Sequence, residues 1–274
     1  SGTQDVIISG GVEAMSTVEI GSNIRDGLPN GRGIPKGERL ELQYPGIQFS
    51  QFDGAELLAE KYAITRADLD AFGLLSHQRA KAATDNGYFK EEIVPLNIKL
   101  EDGSADVHLV DEGIRGEATL EGMQSLKTLR EGGVITAGTA SQISDGSAAV
   151  MIANEMAVAK YNLPVRAKIH SLAVVGSDPV IMLEGPIPAT HKVLEKAGLT
   201  IDDIDLYEVN EAFGSVPLAW AKAVGADLDK LNVNGGAQAL GHPLGGTGAK
   251  LMTTLVHELE RQQKRFGLIA ICEG

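Results

Sequence analysis

Three short segments hold the side chains whose types and spacing could do chemistry. The first is Glu208-Val-Asn210-Glu211-Ala212-Phe213, two carboxylates and an amide at the end of an apolar run. The second is NGGAQALGHPLGGTG, from Asn234 to Gly248, with His242 between Gly241 and Pro243. Its glycines let backbone approach a ligand closely and present N–H groups at a helix N-terminus. Pro243 pushes His242 out of the helical region, so the imidazole sits on a fixed, non-helical backbone. The loop is not a P-loop, because the Gly-Lys-Ser/Thr ending is missing. Nor is it a dinucleotide fingerprint, because Gly245-x-x-Gly248 lacks the preceding strand. The third segment is Cys272-Glu273-Gly274. Taken singly, each has a structural reading as well. Asn210 can cap a helix, His242 can be a satisfied structural histidine, and a Cys at the end of a buried strand is normally inert packing.

These residues must be positioned by the elements around them. From Arg166 onward strand and helix patterns alternate. AKIHSLAVVG reads as a strand, PATHKVLEKAGL as a helix, IDLYEVN as a strand and AFGSVPLAWAKAVG as a helix. Leu231–Val233, the glycine-rich loop, the helix GAKLMTTLVHELERQQ and the strand FGLIAIC follow. Such alternation predicts a layered α/β domain with a mostly central sheet, and ligand sites there favour strand ends. Upstream, Val6–Ile8 reads as a short buried strand entering a tight turn at Gly10-Gly11. Residues 20–48 form a long irregular segment. A helix is expected from Gly54, and Thr65-x-x-Asp68 is a capping-box variant opening another. Glu92–Val110 reads as extended with a turn at Asp102-Gly103. Residues 134–153 are small, apolar and turn-forming, and Asn154 caps a helix through Lys160.

Composition limits what such a site can serve. Formal charge is −13, which argues against non-specific nucleic-acid binding but not against an anionic small ligand. The single cysteine excludes a disulfide framework and fits a reducing compartment. No run approaches the length of a membrane helix. The opening SGTQDVIISGG has no basic leader region, and both it and LIAICEG read as the interior of a domain.

Taken together, NEAF, NGGAQALGHPLGGTG and C-x-G closely resemble the C-terminal half of the thiolases, the acyl-CoA acyltransferases. Their spacing agrees, with 32 residues from Asn210 to His242 and 30 from His242 to Cys272. GGVEAMS, TAGTASQISDGSAAV and GPIPATHKVLEKAGL resemble further family segments, so the likeness runs along essentially the whole sequence. The resemblance implies a thiolase-like αβαβα fold with an incomplete N-terminal core half. Residues 1–17 and 143–165 would belong to that half, residues 18–142 to an inserted loop domain, and residues 166–274 to the C-terminal core. It also implies roles. Cys272 is the acid/base at the α-carbon, and His242 activates a thiol and donates a hydrogen bond to the enolate oxygen. Asn210 holds a water that completes this oxyanion hole, and the N–H of Gly274 belongs to a second hole. Arg115 and Ser141 match positions that contact coenzyme A, and Ala137, Leu129 and Phe213 would line its pantetheine tunnel. Glu208 and Glu211 orient His242 or the water, or serve as caps.

The expected function is a 3-ketoacyl-CoA thiolase of fatty-acid or steroid side-chain metabolism. The stretch at 118–143, and the absence of a His near Ser50, lean toward larger acyl groups. Coenzyme A and acyl-CoA enter as substrates, with no permanently bound cofactor and no metal. A homodimer or homotetramer is expected, cytoplasmic in a bacterium and mitochondrial or peroxisomal in a eukaryote. The family's acyl-accepting Cys lies upstream of the GGVEAMS segment, and no cysteine stands there. This sequence alone is therefore expected not to complete a turnover. Biosynthetic acetoacetyl-CoA formation is one alternative, and a non-catalytic acyl-CoA-binding protein is another. Retention of Cys272, His242 and Asn210 together opposes the second. A β-ketoacyl synthase fits less well, since that site pairs one Cys with two histidines.

Overall fold

The computed structural model describes residues 3–272. β1 (Val6–Ala14) pairs antiparallel with a strand far along the sequence. Two short helices, α1 (Ser22–Gly27) and α2 (Glu38–Gln43), interrupt the segment expected to be irregular. α3 (Gln51–Lys61) follows, and α4 (Arg66–Asp85) opens on the anticipated box. There the Thr65 hydroxyl accepts from the Asp68 N–H, and the Asp68 carboxylate accepts from the Thr65 N–H at 2.8 Å. β2 (Leu96–Lys99) and β3 (Ala105–His108) form a hairpin across the Asp102-Gly103 turn. α5 (Leu120–Ser125) precedes β4 (Asp145–Ala153), the partner of β1. α6 (Glu155–Tyr161) is capped by the Asn154 side chain, as expected.

α7 (Pro186–Ala197) begins with a proline in its first turn and ends on left-handed Gly198. β5 (Leu206–Val209) leads to α8 (Ser215–Val224). The one-turn α9 (Ala237–Leu240) precedes His242, and α10 (Thr247–Gln262) follows it. β6 (Gly267–Ala270) lies parallel to β5, and Leu231 bridges to Tyr207 on the other side of β5. This parallel unit is the centre of the α/β half. Tyr207 points to one face, where its ring meets Trp220 of α8 edge-on at 5.2 Å between centroids. Trp220 is fully buried, and its indole N–H donates to Thr190 of α7 at 2.8 Å. Glu208 points to the other face, toward α10.

Two sequence expectations are corrected here. β1 is a nine-residue, largely exposed strand, and Gly10-Gly11 lie inside it, not in a turn. A Cβ on Gly11 would sit 1.6 Å from the carbonyl oxygen of Gly245. The glycine is needed because β1 backbone lies directly against the His242 loop. AKIHSLAVVG is not a strand. Residues 167–176 have no regular structure and no ladder partner among the described residues. Their β-branched character alone does not supply one.

Candidate active site

The parallel pair sets the geometry. Val209 is in register with Ala270, so Asn210 and Cys272 leave the same end of β5 and β6. The Asn210 N–H donates to the Ala270 carbonyl at 3.0 Å. Cys272 is buried in the core that surrounds β5. His242 arrives from the loop between α9 and α10, with its Nε2 3.3 Å from the Asn210 amide nitrogen. Two of the three expected catalytic side chains thus touch, and Cys272 is delivered to the same sheet edge. Gly274 lies outside the described residues.

Hydrogen bonding settles which imidazole nitrogen is available. The Thr247 hydroxyl donates to the Pro243 carbonyl at 2.9 Å, because a carbonyl can only accept. Its lone pairs then face His242 Nδ1 at 2.7 Å, and Nδ1 carries the hydrogen. Nε2 is left as the acceptor, facing Asn210. Burial chiefly pushes the imidazole below its ordinary pKa. The charge of Lys250 adds to this, and Glu13 opposes it. Asn210 Oδ1 is buried with no hydrogen-bond partner, an acceptor suited to a bound water.

The loop is held from three sides. Gly245 N–H donates to Glu13 of β1 at 3.1 Å. Glu211 accepts from Asn232 at 2.8 Å, from Ser76 at 2.7 Å and from the Gln238 N–H at 3.1 Å. Glu211 therefore ties the NEAF segment to α4 and the glycine loop instead of bonding His242. Burial raises its pKa against those bonds. Glu208 is buried two residues before Asn210, and desolvation pushes its carboxyl up to about 8.

Of the residues matched to coenzyme A contacts, Ser141 and Phe213 lie on or against the segment that follows Asn210. Ala140 bridges antiparallel to Phe213, and the Ser141 N–H donates to the Ala212 carbonyl at 2.9 Å. Phe213 is buried and meets Phe52 edge-on. Ala137 and Leu129 are exposed on the neighbouring turn, where Thr128 bridges to Thr136. Arg115 is exposed too. Its N–H donates to His77 Nδ1 at 3.1 Å, which fixes the backbone there. A cavity of about 870 Å³ lies between α3 and residues 130–134. Neither Asn210, His242 nor Cys272 lines it.

Thr247, Ser76 and Asn232 were not singled out in the sequence. Thr247 had a local signal, since a hydroxyl four residues after Pro243 can reach its carbonyl across the first helical turn. Ser76 and Asn232 had none, because their link to Glu211 is purely tertiary.

Comparison with known proteins places this geometry. Residues 1–156 match the family model "Thiolase, N-terminal domain", and residues 163–274 match "Thiolase, C-terminal domain". The sequence is 49% identical to the steroid 3-ketoacyl-CoA thiolase FadA6 of Mycobacterium tuberculosis, covering 100% of this chain and 66% of that protein. It is 42% identical to the human mitochondrial 3-ketoacyl-CoA thiolase, covering 98% of this chain and 69% of the human one. The crystal structure of the human protein in complex with CoA superposes with a TM-score of 0.84 at 40% identity, over 100% of this chain and 69% of that one. The chain thus spans about two thirds of the length of these relatives. No helix among the described residues is long and apolar enough to cross a membrane.

Proposed function

Because the chain belongs to the thiolase family, we propose that it forms the enolate-handling half of the site in an enzyme that cleaves 3-ketoacyl-CoA with coenzyme A. The products are acetyl-CoA or propionyl-CoA and a shortened acyl-CoA, in fatty-acid or steroid side-chain metabolism. In cleavage, an acyl-accepting thiol adds to the 3-keto carbonyl. The C2–C3 bond breaks, and its electron pair moves to C2 as the enolate of the departing thioester. The acyl group stays on the accepting sulfur until the coenzyme A thiol takes it. Cys272 returns a proton to C2. His242 Nε2 takes the proton of the accepting thiol, and the imidazolium then donates it as a hydrogen bond to the enolate oxygen. The reverse Claisen condensation uses the same groups.

The observation that carries this reading is the chain Asn210–His242–Thr247, with Nε2 the unprotonated nitrogen, beside Cys272 at one end of the parallel pair. The orphaned Asn210 Oδ1 supports a water that completes the oxyanion site. The Gly274 N–H is assigned to the hole for the acyl-enzyme oxygen. Arg115 and Ser141 are assigned to coenzyme A, and Ala137, Leu129 and Phe213 to its pantetheine arm. Residues 18–142 form the loop domain between the two parts of the N-terminal core. The enzyme works as a homodimer or homotetramer in a reducing compartment, the cytoplasm in a bacterium. Only one cysteine is present and it is assigned as the base, so the acyl-accepting thiol comes from residues outside this sequence.

The test uses the full-length protein. Cys272→Ala is expected to accept an acyl group yet lose α-proton exchange of acetyl-CoA with solvent. Normal exchange in that variant sinks the assignment of the base. His242→Ala is expected to slow acylation, and unchanged acylation would make His242 structural.

A further inference from the structure

Asn232 stands where the chain leaves the edge of the parallel unit. Leu231 bridges to Tyr207 of β5, and the Asn232 N–H donates to the Tyr207 carbonyl at 2.8 Å. A strand continuing beside β5 would set its next peptide against Val209. The chain turns away instead. Asn232 is left-handed, with φ at 46°, and its carbonyl accepts from the Gly235 N–H at 2.9 Å. Asparagine tolerates this backbone better than most residues. The turn opens the glycine loop that carries His242.

The side chain takes the place that the backbone gives up. Asn232 Oδ1 accepts from the Val209 N–H at 2.9 Å, and Nδ2 donates to the Val209 carbonyl at 2.9 Å. Nδ2 gives its second hydrogen to Glu211 Oε1 at 2.8 Å. A peptide N–H only donates and a peptide carbonyl only accepts, so the amide has one orientation here. Asn232 and Glu211 are 1% exposed and Val209 is 0% exposed, which leaves a lost bond without bulk water to replace it. Asn210 lies between the two residues that this amide holds. Its own N–H is taken from the β6 side by the Ala270 carbonyl at 3.0 Å. Its side-chain nitrogen reaches His242 Nε2 at 3.3 Å, and its Oδ1 is the unpartnered acceptor.

We propose that Asn232 is a positioning residue for Asn210, its amide standing in for a strand peptide at Val209 and tying Glu211, so that Asn210 Oδ1 is aimed at the water of the enolate oxyanion site. This rests on the role given to Asn210 above. Asn232 touches no reacting atom and acts through the backbone on either side of Asn210. His242 has a separate anchor in Thr247 at 2.7 Å. Loss of the Asn232 amide therefore falls on the enolate step and spares acyl transfer.

Two half-reactions are measured on one sample of the full-length protein. Exchange of the α-protons of acetyl-CoA with solvent deuterium needs the enolate. Exchange of labelled coenzyme A into acetyl-CoA needs only acyl transfer to the accepting thiol. Asn232→Gly keeps the left-handed backbone and removes the amide. It should lower α-proton exchange about tenfold, less than outright loss of an oxyanion-hole donor costs. Coenzyme A exchange and the KM for acetyl-CoA should stay at wild-type values. A merely structural role would lower both rates by one factor, because each scales with the folded fraction. Asn232→Asp keeps the acceptor for the Val209 N–H but loses the two amide hydrogens. It is read in the same way, so that poor folding of one variant does not decide the result. Asn162, exposed and left-handed with φ at 50°, supplies the backbone control, and Asn162→Gly should match wild type in both rates. An unchanged ratio of the two rates in cooperatively melting Asn232→Gly overturns the proposal. If wild type exchanges coenzyme A but not α-protons, the reading of Asn210, His242 and Cys272 fails and the proposal falls with it. If wild type and Asn232→Gly exchange α-protons equally well, Asn232 alone is refuted.

Discussion

Thr247 decides which nitrogen of His242 does the work. Its single hydroxyl proton goes to Pro243, so it can offer the imidazole only a lone pair. A valine at this position keeps the shape and removes both bonds. The ring would then be free to place its hydrogen on either nitrogen, and the tautomer with Nε2–H cannot accept a thiol proton. Thr247→Val is expected to lower kcat roughly tenfold to a hundredfold with little change in KM, and Thr247→Ser to retain most activity. Wild-type kcat in Thr247→Val, measured in the full-length enzyme, would remove Thr247 from the mechanism. At this scale the sequence was informative only in combination. His242, Asn210 and Cys272 each had a structural reading, and their joint spacing pointed to one site. The tautomer was not legible, because it depends on where one hydroxyl proton goes after the first turn of α10 has formed.

Elements with local punctuation were legible. Thr65 and Asp68 open α4, Pro186 and Gly198 bracket α7, and Asn154 caps α6. Elements that depend on a distant partner were not. β4 lies in a stretch of small residues, and it becomes a strand because β1, more than a hundred residues earlier, pairs with it from Val6–Ala153 to Ala14–Asp145. Gly10-Gly11 resembled a turn for the same reason, since nothing local reveals that Gly245 will press against that strand. Gly11 gives a direct test of this packing. An alanine Cβ would fall 1.6 Å from the Gly245 carbonyl oxygen, and backbone on both sides cannot yield as a flexible side chain would. Gly11→Ala should cost about 1–3 kcal/mol of stability and reduce exchange by moving the His242 loop. Gly37→Ala, with nothing within 4 Å of the added methyl, is the control and should melt like wild type. Equal melting of the two variants would show that β1 does not brace the loop.

Across the whole molecule, the cost of the site is carried by buried acids. Burial pushes Glu208 to about 8 and Glu92 to about 7, and it raises Glu211 and Asp111. An unfolded carboxyl with the ordinary glutamate value of 4.5 releases its proton well below those points. Between the unfolded and folded values the native state therefore holds more protons than the unfolded one. Stability contributed by these protonated acids is complete below the unfolded value and is lost as pH rises through about 7 and about 8. The formal charge of −13 adds self-repulsion in the same direction. Thermal unfolding of wild type should therefore give a melting temperature that falls from mild acid up to about pH 8. Glu208→Gln keeps the shape of the protonated acid and cannot ionise. It should melt close to wild type near the unfolded value of 4.5 and increasingly above it as pH rises, the margin reaching a few kcal/mol and levelling off near pH 8. The same slope in Glu208→Gln and wild type would mean that Glu208 is ionised in the native protein at neutral pH, paired more closely with Lys250 than burial on that face of β5 implies.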